Sequence, residues 1–560
     1  MKQSIKKLVT LLLVAALALS VVACGPTAPS TGNNNPTKPQ VPNKEVKFPL
    51  EEEVTLSFMV VNYNGYDLEE KLKDNELWQD VYKATNVKIE IVPLPATDTM
   101  TAINAKFMSG KEADMMLMPP ALVSPTDFSK MVEDGLLMDI SRYIDDAKLM
   151  PNLNNRVFGD SAGIRAMINS PDGGAYYLPS SISSIHTKLE SPFYINKTWL
   201  DKMGKSVDDI KTIDDLEAVL KYFKSNDMNG DGNKNDEIPY LAWDQDNNSH
   251  LDAFLSLYGV ATKWNEASMA EDGVYIEDGE VKFAYTSENY KEAIWKLNSW
   301  YEQGLIYDQA FASQNAYLSL QKSNRIGLSS RPIPGSGTKD EWVPLAPVDT
   351  GWGSSFFVNP AAIAPTRLAA ITRSCEEPEI ALAWLDLFYS FEYSVRTQLG
   401  EEEDGRYSYE DGKLKTYILD DNTEKKLQEE QPTLHNLFQM FYNWNGDDYA
   451  NRIIANKNDL KRMEAYEIYK AADALNDEIW PRPAMESDLA EGINELKQDI
   501  FNTMASQRAK WITNKDLTLA QFEAEWDTYV STMENRLQIG KYVKLHQDAY
   551  DDFQESLGKK

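Results

Sequence analysis

From residue 54 onward the chain switches between two hydrophobic periods. Val54-Thr55-Leu56-Ser57-Phe58-Met59-Val60-Val61 alternates as a half-buried strand does. Apolar positions at helical spacing follow over Leu68 to Ala84, and the alternating Val87-Lys88-Ile89-Glu90-Ile91 predicts a second strand. A helical stretch over Thr97 to Ser109 leads into Asp114-Met115-Met116-Leu117-Met118, a third strand. Strand, helix, strand, helix, strand is the order of a parallel α/β sheet. Ligands of such sheets collect beyond the carboxyl ends of the strands, which points to Asn62-Tyr63-Asn64-Gly65-Tyr66 and Met118-Pro119-Pro120.

Later helices carry explicit start and stop signals. Thr212-Ile213-Asp214-Asp215 caps a stripe of Leu216, Val219, Leu220 and Phe223. Tyr290, Ile294, Leu297 and Tyr301 repeat the stripe, with Gly304 where a C-terminal cap belongs. Thr518 and Gln521 form a capping box ahead of Phe522, Trp526, Tyr529, Val530 and Met533. These aromatic stripes are read as core faces.

The amino terminus has a different pattern. Lys2, Lys6 and Lys7 precede a short apolar run, Leu8 to Leu19, too short to span a bilayer and read as an export signal. It ends at Val21-Val22-Ala23-Cys24-Gly25, which resembles a bacterial lipobox. That resemblance makes residues 1–23 a signal peptide and Cys24 the first mature residue, carrying palmitate-type lipid on a membrane-anchored protein. Residues 24–49 are then the lipidated cysteine plus a disordered tether, since the Pro, Gly, Ser, Thr and Asn of 25–44 bury too little to offset chain entropy.

Composition narrows the classes. A chain of 560 residues exceeds one hydrophobic core, so two or more domains are expected. Net charge is −31, from 87 acidic against 56 basic residues, a field that repels phosphate backbones and argues against nucleic-acid binding. With only Cys24 and Cys375 present, lipidation of the first leaves no intramolecular disulfide. The four histidines, His186, His250, His435 and His546, show no zinc spacing.

One run carries metal chemistry. In Asp227 to Tyr240, Asp227, Asn229 and Asp231 alternate, Gly232 comes sixth and Asn233 seventh, the first half of a calcium loop. An EF-hand puts glutamate at position twelve, but here that residue is Ile238, and Asp236 and Glu237 arrive earlier. The alternative is a solvated turn without an ion.

Several stretches then line up with one family. Ser191 to Gly204, the run Thr212 to Tyr240, Gly173 to Pro179, Gly279 to Ile306, Pro378 to Ser390 and Asp516 to Phe553 resemble the extracellular solute-binding proteins (family 1) of carbohydrate ABC transporters. The match is narrower to their large Gram-positive lipoprotein branch, with the alginate-binding periplasmic proteins as relatives. The resemblance implies a two-lobed α/β fold of the periplasmic-binding type II kind, with a hinge and a ligand cleft at the lobe interface. Lobe 1 would be 50–180 with about 345–420, and lobe 2 would be 181–344 with about 421–553. It implies a structural calcium ion held by Asp227, Asn229, Asp231, Asn233, Asp236 and Glu237, within one lobe. It also implies a monomeric receptor on the outer face of a Gram-positive membrane that passes sugar to permease subunits.

Sugar sites stack aromatic faces on pyranose rings and bond hydroxyls with carboxylates and amides. Aromatics beside turn residues are therefore the ligand candidates: Tyr63, Tyr66, Trp243 with Asp244, Trp264, Trp352 and Trp444. No catalytic residues are assigned. The rivals are a secreted glycan-cleaving enzyme, which needs two carboxylates across the scissile bond, and a binding lipoprotein serving a sensor kinase or peptide uptake.

Overall fold

The computed structural model describes residues 43–118, 122–159, 162–180, 189, 192–242, 244–245, 248–249, 251–260, 272–311, 320, 323–330, 341–357, 366–417, 419–444, 446–476, 480 and 483–557. Cys24, Trp243 and Trp264 lie outside these residues. Chain contacts separate residues 1–42 from the folded body that begins at Asn43.

The body opens as its periodicity predicts. Strand β1 (Val54–Asn62) pairs in parallel with β2 (Val87–Pro95) and with β3 (Met115–Leu117). The helical stretch between β1 and β2 is two helices, α1 (Leu68–Asp74) and α2 (Glu76–Thr85). Asn75 makes the break: its side-chain oxygen accepts from the Trp78 N–H at 3.0 Å and starts α2 afresh. Helix α3 (Thr99–Met108) leads into β3, and α4 (Pro125–Glu133) follows with a Ser124/Asp127 capping box. Strand β4 (Leu178–Ser180) ends the first passage through this lobe.

The second lobe starts with β5 (Tyr194–Asn196), α5 (Ile213–Ser225) and β6 (Ile238–Leu241), and adds α6 (Glu288–Glu302), β7 (Ile326–Ser329) and β8 (Trp342–Pro344). Its sheet order is β8-β5-β7-β6, with β7 parallel to β6 and β5 antiparallel to both β7 and β8. The chain then returns as β9 (Thr366–Ile371), antiparallel to β3 and β4, which completes the first sheet in the order β2-β1-β3-β9-β4. Helices α7 (Pro378–Asp386), α8 (Phe391–Leu399) and α9 (Leu434–Phe438) finish the first lobe. Helix α10 (Lys457–Ala471) goes back to the second, where α11 (Ser487–Thr513), α12 (Leu519–Asn535) and α13 (Ile539–Ser556) pack.

The buried residues form two large cores. One runs from Leu56 to Leu178 and takes in Ala369 to Tyr389 and Leu434 to Phe441. The other runs from Leu189 to Phe356 and from Ala465 to Ala549. A small third cluster, Val395, Tyr407, Leu414 and Ile453, sits under a three-stranded sheet. The expected lobe boundaries near 345 and 420 therefore shift. Leu345, Val348 and Phe356 belong to the second core, and Leu434 to Phe441 pack in the first because Trp78 of α2 meets Phe438 edge-on.

The tether also ends earlier than 49. Asn43 donates to the Arg142 carbonyl and to Asp146, Lys44 pairs with Glu377, and Val46 and Phe48 pack on the first core. Those apolar side chains give residues 43–49 a seat on the first lobe.

The lobes are joined along a polar seam. Four residues of α4, spaced for one helical face, reach the start of α11. The Ser129 hydroxyl donates to the Met485 carbonyl at 2.8 Å. The Glu133 carboxylate accepts from the Ser487 N–H at 3.0 Å and its hydroxyl at 2.6 Å, which caps α11 from the other lobe. Lys130 pairs with Glu491, and Asn494 donates to Thr126.

Candidate functional site: two facing sheet edges

Topology decides where a ligand would sit. The chain leaves β4 at Ser180, and β4 runs parallel to β3 because both oppose β9. It enters the second lobe at the amino end of β5, and β6, β7 and β8 all run opposite to β5. The carboxyl edges of both sheets are therefore on the sides the crossover joins. In α/β sheets that edge is where ligands bind.

On the first lobe this edge carries an aromatic row. The Asn64 amide, just past β1, donates to the Asn436 carbonyl of α9 at 3.0 Å. The chain then runs extended, with Met440, Phe441 and Asn443 buried while Tyr442 and Trp444 stay partly exposed. His435 meets Tyr442 at 5.4 Å and Tyr442 meets Trp444 at 5.6 Å, both edge-on. Burial lowers the pKa of His435, so its ring is neutral near pH 7. Three neutral or weakly polar rings in series offer a surface for apolar sugar faces.

The sequence candidates separate on this frame. Trp444 is in the row. Tyr63 is half-buried against the first core at the end of β1, and burial pushes its phenol up to about 12. Tyr66 is committed elsewhere: its hydroxyl donates to the Gln428 carbonyl at 3.2 Å. It lines a groove of about 960 Å³ between the edge strand β2 and helices α1 and α2, on the flank of the lobe. Trp352 is 44% exposed on the second lobe, its indole N–H donating to Glu292 of α6 at 3.3 Å. Asp244 pairs by backbone with Ser249 in a short hairpin after β6. His435, read in the sequence only as lacking zinc spacing, and Tyr442 were not among the ligand candidates. The alternation from Met440 to Trp444 was the available signal.

The carboxylate loop lies at the opposite edge of the second sheet, ahead of the amino end of β6. Its turn is built from side-chain oxygens accepting nearby N–H groups: Asp227 from Gly230 (2.6 Å) and Gly232 (2.8 Å), Asn229 from Asp231 (2.9 Å), Asp231 from Asn233 (2.8 Å). Gly232 has φ +92°, which an L side chain resists. Glu237 is 4% exposed; one of its oxygens accepts from the Met228 N–H at 2.8 Å, and the other is buried with no partner. Asp236 pairs with Arg325 at 3.0 Å through one oxygen, while its second is also buried and unpartnered. Two orphaned carboxylate oxygens on one tight loop fit a hard cation. Among the described residues no three His, Cys, Asp or Glu gather in metal-ligating reach, so amide and carbonyl oxygens would complete the shell.

These features place the chain in a family. It belongs to the bacterial extracellular solute-binding proteins, whose model matches residues 76–392, more than half of its length. The family binds solutes, so the glycan-cleaving alternative is set aside.

The fructooligosaccharide ABC transporter substrate-binding protein FusA of Streptococcus pneumoniae is 26% identical over 97% of each chain. Lipoprotein LipO of Bacillus subtilis is 25% identical over 40% of each. Among solved structures, an HMO-binding, ABC-transporter-associated solute-binding protein from Bifidobacterium longum infantis superposes with TM-score 0.71 at 24% identity, over 90% of this chain and 99% of that one. The FusA complex with kestose gives 0.68 at 22%, over 90% and 99%. An EF-hand mutant of FusA with fructo-nystose gives 0.67 at 22%, over the same shares. Alginate-binding AlgQ2 without calcium gives 0.62 at 18%, over 91% and 100%. The shared fold is two-lobed, as expected. Among the described residues no helix is long and apolar enough to cross a membrane.

Proposed function

We propose that this chain captures a neutral oligosaccharide outside the cell and delivers it to the permease of an ABC transporter. The observation that carries the reading is the row His435, Tyr442 and Trp444 beside the carboxyl edge of the first sheet. The likeness to a fructooligosaccharide receptor along nearly the whole chain favours sugar over peptide. The net charge of −31 favours a neutral glycan over an anionic one.

The lobes are 43–180 with 366–454, and 189–357 with 465–557. A sugar touching both favours the closed arrangement by as much as its extra contacts are worth. The α4–α11 seam, where Glu133 caps α11, is the pivot. Cys24 carries the lipid that keeps a monomeric receptor beside its permease on the outer face of the membrane, a reading the likeness to a lipoprotein supports. Calcium drawn to the free oxygens of Asp236 and Glu237, with Asp227, Asn229, Asp231 and Asn233 closing round it once it binds, staples α5 to β6, and the EF-hand of a similar structure supports it. The ion supplies charge balance for buried carboxylates and takes no part in sugar binding.

The test is a thermal-shift screen of the purified body against fructans, plant glycans and milk-type oligosaccharides, with and without calcium. A reproducible shift for one neutral glycan, without product on incubation, is the expected result. A shift only with peptides would overturn the reading.

A further inference from the structure

The aromatic row has one mechanical dependence, and it lies far away in sequence. Residues Asn154–Phe158 form a π-helical turn, a rare geometry that bulges one residue out of a helix. The bulge carries Arg156 beneath the Trp444 turn. Its side chain is 12% exposed and donates hydrogen bonds in three directions from one planar fork. The Nε–H donates to the Tyr389 carbonyl at 2.5 Å, at the end of α7. The two terminal nitrogens grip the Asp448 carboxylate at 3.1 and 2.7 Å, and one also donates to the Asn443 carbonyl at 3.0 Å. The Asp448 side chain is fully buried.

Asn443 and Asp448 flank Trp444, so a single guanidinium holds both ends of the turn that presents it. The Asn443 N–H adds a bond to the Ser394 hydroxyl at 2.9 Å, which fixes the inward-facing residue between Tyr442 and Trp444. The same guanidinium therefore holds Asn443 inward between two partly exposed rings, Tyr442 and Trp444, the latter also resting against the third cluster. Resting on the sugar-receptor reading, we propose that Arg156 is a positioning residue for glycan binding: it presents the Tyr442–Trp444 face without touching the ligand.

A lysine at this place keeps the charge opposite Asp448 but has no fork to hold Asn443 and Tyr389 together. The experiment uses the glycan that shifts the wild-type protein most, with Kd by calorimetry and melting temperature measured separately. Arg156→Ala is expected to lower both affinity and melting temperature. Arg156→Lys is expected to recover most of the melting temperature and still bind roughly tenfold more weakly. In a Tyr442→Ala/Trp444→Ala background the same lysine change should cost no further affinity, because both rings it positions are gone.

Wild-type affinity in Arg156→Lys, or losses that simply add in the combined variant, would overturn the proposal. Unchanged affinity in Trp444→Ala would overturn it while leaving the uptake reading intact. A wild-type protein that binds no glycan at all would overturn both.

Discussion

The aromatic row of the first lobe and the carboxylate loop of the second use residue alternation in opposite ways. In the loop, Asp227, Asn229 and Asp231 each bond an N–H two to five residues ahead, so the segment shapes itself. In the row, the backbone between Tyr442 and Trp444 is held by Arg156, almost 300 positions earlier, which bonds Asn443 and Asp448. One site is local and the other is assembled. A local site can be altered piece by piece, whereas the assembled one depends on a buried charge pair that fails as a unit.

The largest break in this comparison comes from that pair. Arg156→Ala leaves buried Asp448 with the looser Arg452 pair at 3.7 Å, and a cost of about 3–4 kcal/mol is expected in urea unfolding. A loss under about 1 kcal/mol would mean that the row supports itself, as the loop does. Calcium removal ranks next. If the ion sits at a hundred times its Kd, excess EDTA should cost about 3 kcal/mol. Glu237→Gln should remove that EDTA response. An unchanged melt in chelator would make the loop a solvated turn and leave its orphaned oxygens without an ion.

The same contrast explains what could be read from the chain. Strands β1, β2 and β3 were legible because period-two patterns and their turns are written within a few residues. So were the boxes at Thr212/Asp215 and Thr518/Gln521, where cap and partner are three apart. The break at Asn75 was missed because the apolar stripe continues through it, and only the side-chain bond to Trp78 reveals the restart. The return of Leu434 to Phe441 to the first core was not legible, since Phe438 finds Trp78 through packing across the fold. His435 and Tyr442 were missed for the same reason. Nothing near them in sequence says that Asn64 and Arg156 will bond the carbonyls of their neighbours Asn436 and Asn443.

Titration offers a finer comparison of the lobes. Glu217 of α5 is partly buried, which alone would raise its pKa, but Lys221, Lys296 and the Trp300 indole N–H hold it down to about 2. Its folded value lies below the unfolded one, so its stabilisation is present above about pH 4.5 and lost as pH falls through 2. Asp386 of α7 goes the other way: burial raises it to about 6, although Asn152 and Leu153 donate to it. Its contribution is full below about pH 3.8 and lost as pH rises through 6. On acidification, the stability gap between wild type and Asp386→Asn should therefore widen from pH 7 to 4. The gap to Glu217→Gln should stay flat from pH 7 to about 4.5 and close below that. Urea midpoints across pH check both, and slopes of the same sign would refute the assignment.

The smallest expected effect belongs to Trp352, the most exposed tryptophan among the sequence candidates the structure describes. Its ring is 44% exposed, yet its indole N–H is tied to Glu292. Its turn is fastened to a helix end, with the Thr350 hydroxyl bonding the Leu257 carbonyl at 2.8 Å. Among the described residues no ring flanks it in series as Tyr442 flanks Trp444. Trp352→Ala should change stability by about 0.5 kcal/mol or less and leave glycan affinity within about twofold of wild type. Trp444→Ala should weaken binding by roughly tenfold or more. Should Trp352→Ala instead cost as much as Trp444→Ala, the sugar would have to bridge from the row to the α6 side of the second lobe. The assembled site would then span both lobes.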